Sequence, residues 1–193
     1  MFEFIKGKLV NHTPAYTVLE NSGIGYVINI SLNTYTQLQG KTECQLYIHQ
    51  VIREDLNALY GFYTNQERDI FRHLINVSGI GANTARVILS SMNPTEVRDA
   101  ILSGNVAQLQ SVKGIGTKTA QRAIIDLKDK IGKSTLDNDI FVSQNNTIKD
   151  EALSALVMLG FAKKSADKIL DKNLIKEPNI SVEELIKKAL KQL

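Results

Sequence analysis

VSGIGANTA (residues 77–85) and VKGIGTKTA (residues 112–120) are two copies of one short pattern, 35 residues apart. Val77/Val112, Gly79/Gly114, Ile80/Ile115, Gly81/Gly116, Thr84/Thr119 and Ala85/Ala120 coincide. Each copy follows an apolar segment with helical spacing and leads into another, RVILSSM or QRAIIDLKDKI. The unit is therefore helix, tight G-I-G turn, helix, used twice. The first glycine lets the chain leave a helix at positive φ. The isoleucine can anchor the turn in the core. The second glycine has no Cβ to hold a ligand away, so free amides at the next helix start can approach a phosphate oxygen. Lys118 and Arg122, four apart, share a helix face and can add charge.

Other phosphate-binding patterns fit less well. A Walker loop needs GxxxxGK[ST], and Gly116-Thr-Lys118-Thr119 lacks that spacing. A dinucleotide fingerprint needs a preceding strand and a third glycine, and here helix precedes. One G-I-G alone would be read as a helix terminator. Two copies at a fixed offset favour contact with a DNA backbone, which is sequence-blind and strongly salt-dependent.

Charge points the same way. The net charge is +3. Residues 1–63 carry four Lys/Arg against five Asp/Glu, 64–133 ten against six, and 134–193 nine against nine. All the net positive charge lies in the middle segment, the footprint of a nucleic-acid binder; on charge alone, a solvated lysine-rich face reads equally well.

The flanking segments differ in texture. Residues 1–63 hold nine of the twelve aromatics, and YTVLE, GYVINISL and CQLYIHQVI are rich in β-branched and aromatic residues. Turn signals at Asn11–Pro14, Asn21–Gly25 and Gln39–Lys41 separate them. A small antiparallel barrel of about five strands is expected, with its tyrosines in packing rather than base stacking. From Thr64 the pattern turns helical. Thr64-Asn-Gln-Glu67 reads as a capping box, and Pro94 follows Asn93 at a first helical position. Residues 132–147 are polar and aperiodic, as in a linker. A last helical unit follows, broken at Gly160 and capped at Ser181-Val-Glu-Glu184, with its final helix expected to reach Leu193. In it Leu156, Leu159, Phe161, Ile169 and Leu170 are expected in the core.

No apolar run approaches a membrane span, and MFEFIKGKLV lacks the marks of a signal peptide; a cytoplasmic protein is the plain reading. Cys44 is the single cysteine and reads as a small core residue. His12, His49 and His73 show no metal-ligand spacing.

Taken with Val51-Ile-Arg-Glu-Asp55 and Leu59-Tyr-Gly-Phe62 before the turns, and Leu156…Leu159-Gly-Phe161 after them, the chain resembles the RuvA family over essentially all its length. The resemblance implies an α+β multidomain fold: an OB-fold β-barrel over 1–63, a tandem helix–hairpin–helix DNA-binding domain over 64–132, a flexible linker over 133–147 and a small three-helix domain over 148–193. It implies a non-catalytic subunit without cofactor or metal that binds four-way (Holliday) junctions as a homotetramer or octamer. The three-helix domain would recruit the RuvB ATPase for branch migration, with the RuvC resolvase a further partner. It places Gly79, Ile80, Gly81, Gly114, Ile115 and Gly116 at backbone-contacting turns, with Asn83, Arg86, Lys118, Thr119 and Arg122 beside them. Glu54 and Asp55 match an acidic pin at the junction centre, where carboxylates would repel phosphates; residue types alone favour an ordinary solvated turn, with half of a two-metal nuclease site a further reading. The alternative is a structure-specific nuclease or glycosylase docking through the hairpins, which would need a catalytic constellation not found in the sequence. One departure stands out: Asn83 occupies the position of Lys118, and the first copy's basic residue, Arg86, falls three positions later.

Overall fold

Alternating inward and outward residues build five strands: β1 (Phe4–His12), β2 (Tyr16–Asn21), β3 (Ile24–Ile30), β4 (Glu43–Arg53) and β5 (Leu56–Phe62). The computed structural model describes residues 2–140, 147–178 and 180–193, with side chains over 2–131, 148–178 and 180–193. The chain divides into two units, Met1–Lys133 and Ser134–Leu193.

The strands close into a barrel in the order β1-β2-β3-β5-β4. Leu19, Ile28, Ile30, Leu46 and Ile48 fill it, as the two-residue period of a strand requires. Asn21 pairs with Ile24 around Ser22-Gly23, both at positive φ, the conformation a two-residue hairpin favours. The barrel is not wholly antiparallel: β3 and β5 run parallel through Ile28↔Leu59 and Ile30↔Gly61 and so close it. That closure brings backbones near, and a Cβ on Gly61 would overlap the Ile28 side chain.

A helix unforeseen from the sequence, α1 (Leu32–Leu38), joins β3 to β4. Its N-cap Ser31 accepts from the Thr34 amide, and its other partners explain why the strand-like texture misled. Thr34 Oγ1 donates to Glu67 Oε2 at 2.7 Å, and the Ser31 hydroxyl donates to Glu67 Oε1. Glu67 lies in α2 (Asn65–Ile75), whose N-cap Thr64 accepts from the Glu67 amide. The capping box is thus half formed. The Glu67 carboxylate turns away from the cap to satisfy buried hydroxyls of α1, and burial pushes its pKa up despite those bonds.

Helices α3 (Ala82–Ser91), α4 (Pro94–Ser103), α5 (Val106–Gln110) and the part of α6 (Thr117–Ile140) up to Lys133 complete the first unit's helical layer. The capping box at Asn93 and Glu96 is complete. One apolar cluster runs from β5 into these helices: Tyr60 and Phe62 lie 5.2 and 4.8 Å from the Phe71 ring. Helix α6 continues as backbone through Ile140, where a linker from 133 was expected. Residues 141–146 of that expected linker lie outside the described residues.

The second unit packs α7 (Thr147–Met158), α8 (Lys163–Lys176) and α9 (Val182–Leu190) around Ala152, Leu156, Ala166, Leu170 and Leu185. Gly160, at φ 97°, ends α7. Phe161 and Ile169 pack against this core, whereas Leu159 is 61% exposed. It falls past the last turn of α7, where helical spacing no longer carries it inward. Helix α9 stops at Leu190, three residues short of the expected end.

Candidate nucleic-acid interface

The two G-I-G turns match bond for bond. In the first, Val77 N–H donates to Leu74 O (3.0 Å), Ile80 N–H to Val77 O (3.0 Å) and Ala85 N–H to Gly81 O (2.9 Å). In the second, Val112 donates to Leu109 O (3.3 Å), Ile115 to Val112 O (3.1 Å) and Ala120 to Gly116 O (3.0 Å). Gly79 and Gly114 share a φ of 95°, a region that penalises any side chain. Val77, Ile80, Val112 and Ile115 are all buried, so the two isoleucines hold the turns in the core and offer a ligand only their backbone.

Gly81 and Gly116 are exposed, and a Cβ on either would meet open space. Gly81 caps α3 without any side-chain hydrogen bond, leaving that helix's first amides uncapped. An uncapped helix start with open space before it attracts an anion. Lys113, Lys118 and Arg122 are exposed around the second turn.

The turns lean on each other unequally. Thr119 packs against Gly79, its Oγ1 3.6 Å from where a Cβ would stand. Arg122 Nη1 reaches the Ser78 carbonyl at 3.5 Å. The other two proposed side chains face the barrel. Asn83 Oδ1 accepts from Tyr60 Oη (3.2 Å), and Arg86 Nη1 donates to Ala15 O (2.9 Å) and Asn29 Oδ1 (3.1 Å). These barrel partners were missed from the sequence because each lies 23 to 71 residues away.

Glu54 and Asp55 form the two-residue turn between β4 and β5, flanked by the pair Arg53↔Leu56, and both are exposed. Two of the histidines pack on aromatic rings. His12 stacks on Tyr35 at 4.3 Å, His49 meets Phe71 edge-on, and burial lowers the pKa of His49 and His73. Burial pushes the Cys44 thiol up to about 11, which suits an inert core residue. Among the described residues no group of three or more His, Cys, Asp or Glu could hold a metal ion, and no helix is long and apolar enough to cross a membrane.

A five-stranded barrel carrying paired helix–hairpin–helix turns defines a protein of the tandem-hairpin class. Three family models cover nearly the whole chain: RuvA N terminal domain over 1–61, SAM-like helix-hairpin-helix tandem over 71–129, and RuvA C-terminal domain over 147–193. Relatives named Holliday junction branch migration complex subunit RuvA are 51% identical in Christiangramia forsetii, 50% in Flavobacterium psychrophilum and 47% in Bacteroides fragilis strain ATCC 25285, each alignment covering 100% of both chains. The chain belongs to the RuvA family.

Proposed function

We propose that this chain is the DNA-binding subunit of a Holliday junction branch migration complex, acting in recombination and repair without catalysis of its own. The observation that carries the reading is the pair of turns with matching hydrogen bonds, each with an open glycine at a helix start. Their amides, with Lys118, Thr119 and Arg122, would hold phosphates of two neighbouring DNA segments without reading bases, as a junction whose sequence slides past requires. Glu54 and Asp55, at an exposed hairpin tip, would repel phosphates at the crossover and disfavour a continuous duplex. A homotetramer or octamer would repeat these features around the four arms.

The sequence has no Walker spacing, so ATP-driven movement falls to a partner, which we take to be RuvB, with RuvC a further one. Residues 148–193 are the segment proposed to recruit the motor. Val157, Met158 and Leu159, exposed together at the end of α7, support that assignment. The cytoplasm is the proposed location. Gel shifts on four-way, duplex and single-stranded DNA, followed by Mg²⁺ incubation, test the reading: retarded, uncut four-way DNA is expected. Cleavage would overturn the non-catalytic role.

A further inference from the structure

The 35-residue repeat gives an equivalent for every side chain near the turns. Lys118 and Arg122 correspond to Asn83 and Val87, so the first copy has no cation at either position where the second has one. Arg86 does not replace them, because its equivalent is Gln121 and it lies about 100° round the helix from Val87. Asn83, Arg86 and Ser90 form one stripe of α3, at spacings of three and four, with Arg86 on its side away from Val87. All three bond to the barrel side of the unit. Asn83 takes the Tyr60 hydroxyl, Arg86 holds Ala15 O and Asn29 Oδ1, and Ser90 Oγ accepts from the Leu32 amide at 3.1 Å. Ser90 Oγ also donates to Arg86 O, and Asn29 Nδ2 donates to Leu59 O, which carries the chain of bonds into β5. Strand β5 ends, at its start, in the Glu54-Asp55 turn.

We propose that Asn83, Arg86 and Ser90 are positioning residues, a polar strap that fixes the first hairpin relative to the acidic turn, while Arg122 of the second copy supplies the cation for the first turn as well as its own. This inference rests on the junction-binding reading above. Arg122 reaches the Ser78 carbonyl, and Thr119 packs on Gly79, so the start of α6 already abuts the first turn. The second turn has no counterpart of the Thr119–Gly79 contact: a Cβ on Gly114 would meet open space among the described residues. The two hairpins are alike in backbone and unequal in role. The second carries charge for both, and the first carries the registration between hairpins and barrel.

The test separates a phosphate contact from a positioning contact by salt dependence. Four-way junction affinity is titrated against salt for the full chain, Arg86→Gln, Arg86→Lys, Ser90→Ala and Arg122→Gln, with fluorophores on the junction arms. Losing one phosphate contact lowers the salt slope by about 1. Arg122→Gln is expected to do so. Arg86→Gln is expected to keep the wild-type slope, lose on the order of tenfold in four-way over duplex preference, and change the energy transfer between arms. Arg86→Lys should restore part of that change, and Ser90→Ala, a milder lesion, should shift it in the same direction. A reduced slope for Arg86→Gln, or wild-type preference and energy transfer in Arg86→Gln and Ser90→Ala, would overturn the inference. A wild-type chain with no four-way preference would overturn the junction reading itself, and the inference with it.

Discussion

The Thr34 hydroxyl donates to the Glu67 carboxylate at 2.7 Å, tying the barrel's one connecting helix to the helix that leads into the first hairpin. Glu67 is 1% exposed and Thr34 fully buried. Removing the acid leaves two buried hydroxyls without their acceptor.

Glu67→Ala is therefore expected to cost about 2–3 kcal/mol in denaturant unfolding, as bonds to a charged group are lost, whereas Glu67→Gln keeps the shape and should cost less. The pH dependence has a definite sign. The folded pKa lies above the unfolded one, so as pH rises the unfolded chain releases this proton first, and stability falls across the window between the two values. Above the folded value the loss is complete. The difference in stability between wild type and Glu67→Gln should therefore move against the wild type as pH rises from the ordinary carboxylate range. A pH-independent difference would contradict the assignment.

The glycines divide by what surrounds them. A Cβ at Gly7 would overlap the Glu20 carbonyl oxygen, and one at Gly61 the Ile28 side chain, so alanine at either should cost about 1–3 kcal/mol or more. Gly81 and Gly116 have open space and no positive φ. Alanine there should leave stability within about 0.5 kcal/mol, yet weaken DNA binding by holding phosphates off the amides. Loss of both stability and binding at 81 or 116 would make those glycines structural only.

Lys118→Ala should weaken four-way binding more than Asn83→Ala and lower the salt slope by about 1. Lys118 is exposed beside the second turn, whereas Asn83 is joined to Tyr60. Equal losses across a salt titration would remove the inequality between the hairpins.

Neutralising the tip, with Glu54→Gln and Asp55→Asn together, should raise duplex affinity more than four-way affinity, shrinking the preference. Both side chains are exposed, so folding should be unaffected within about 0.5 kcal/mol. Competition between labelled junction and unlabelled duplex reads the ratio directly. An unchanged ratio would leave the acids as an ordinary solvated turn.

Legibility in the sequence followed range. The doubled turns, the helix start at Asn93-Pro94 and the Ser181 cap depend on residues within a turn or two, and their pattern is written in adjacent positions. The Glu67 carboxylate had a local partner available by spacing, but Ser31 and Thr34, 36 and 33 residues away, took it. The barrel partners of Arg86 left no local mark either, because they are 57 and 71 residues away. Helix α1 hid in a strand-like run because its Ser and Thr serve that same buried acid. The residue type of Leu159 points to the core, but its place past the end of α7 leaves it outside.

Paired turns and an acidic tip together should select a four-way crossover over a continuous duplex. The most direct measurement of this selection is the ratio of dissociation constants for an immobile four-way junction and a duplex of the same arm sequence, at fixed near-physiological salt. Clear preference for the junction is expected, unchanged when the arm sequence is scrambled. Equal affinity for the two, or a preference that follows sequence, would contradict it.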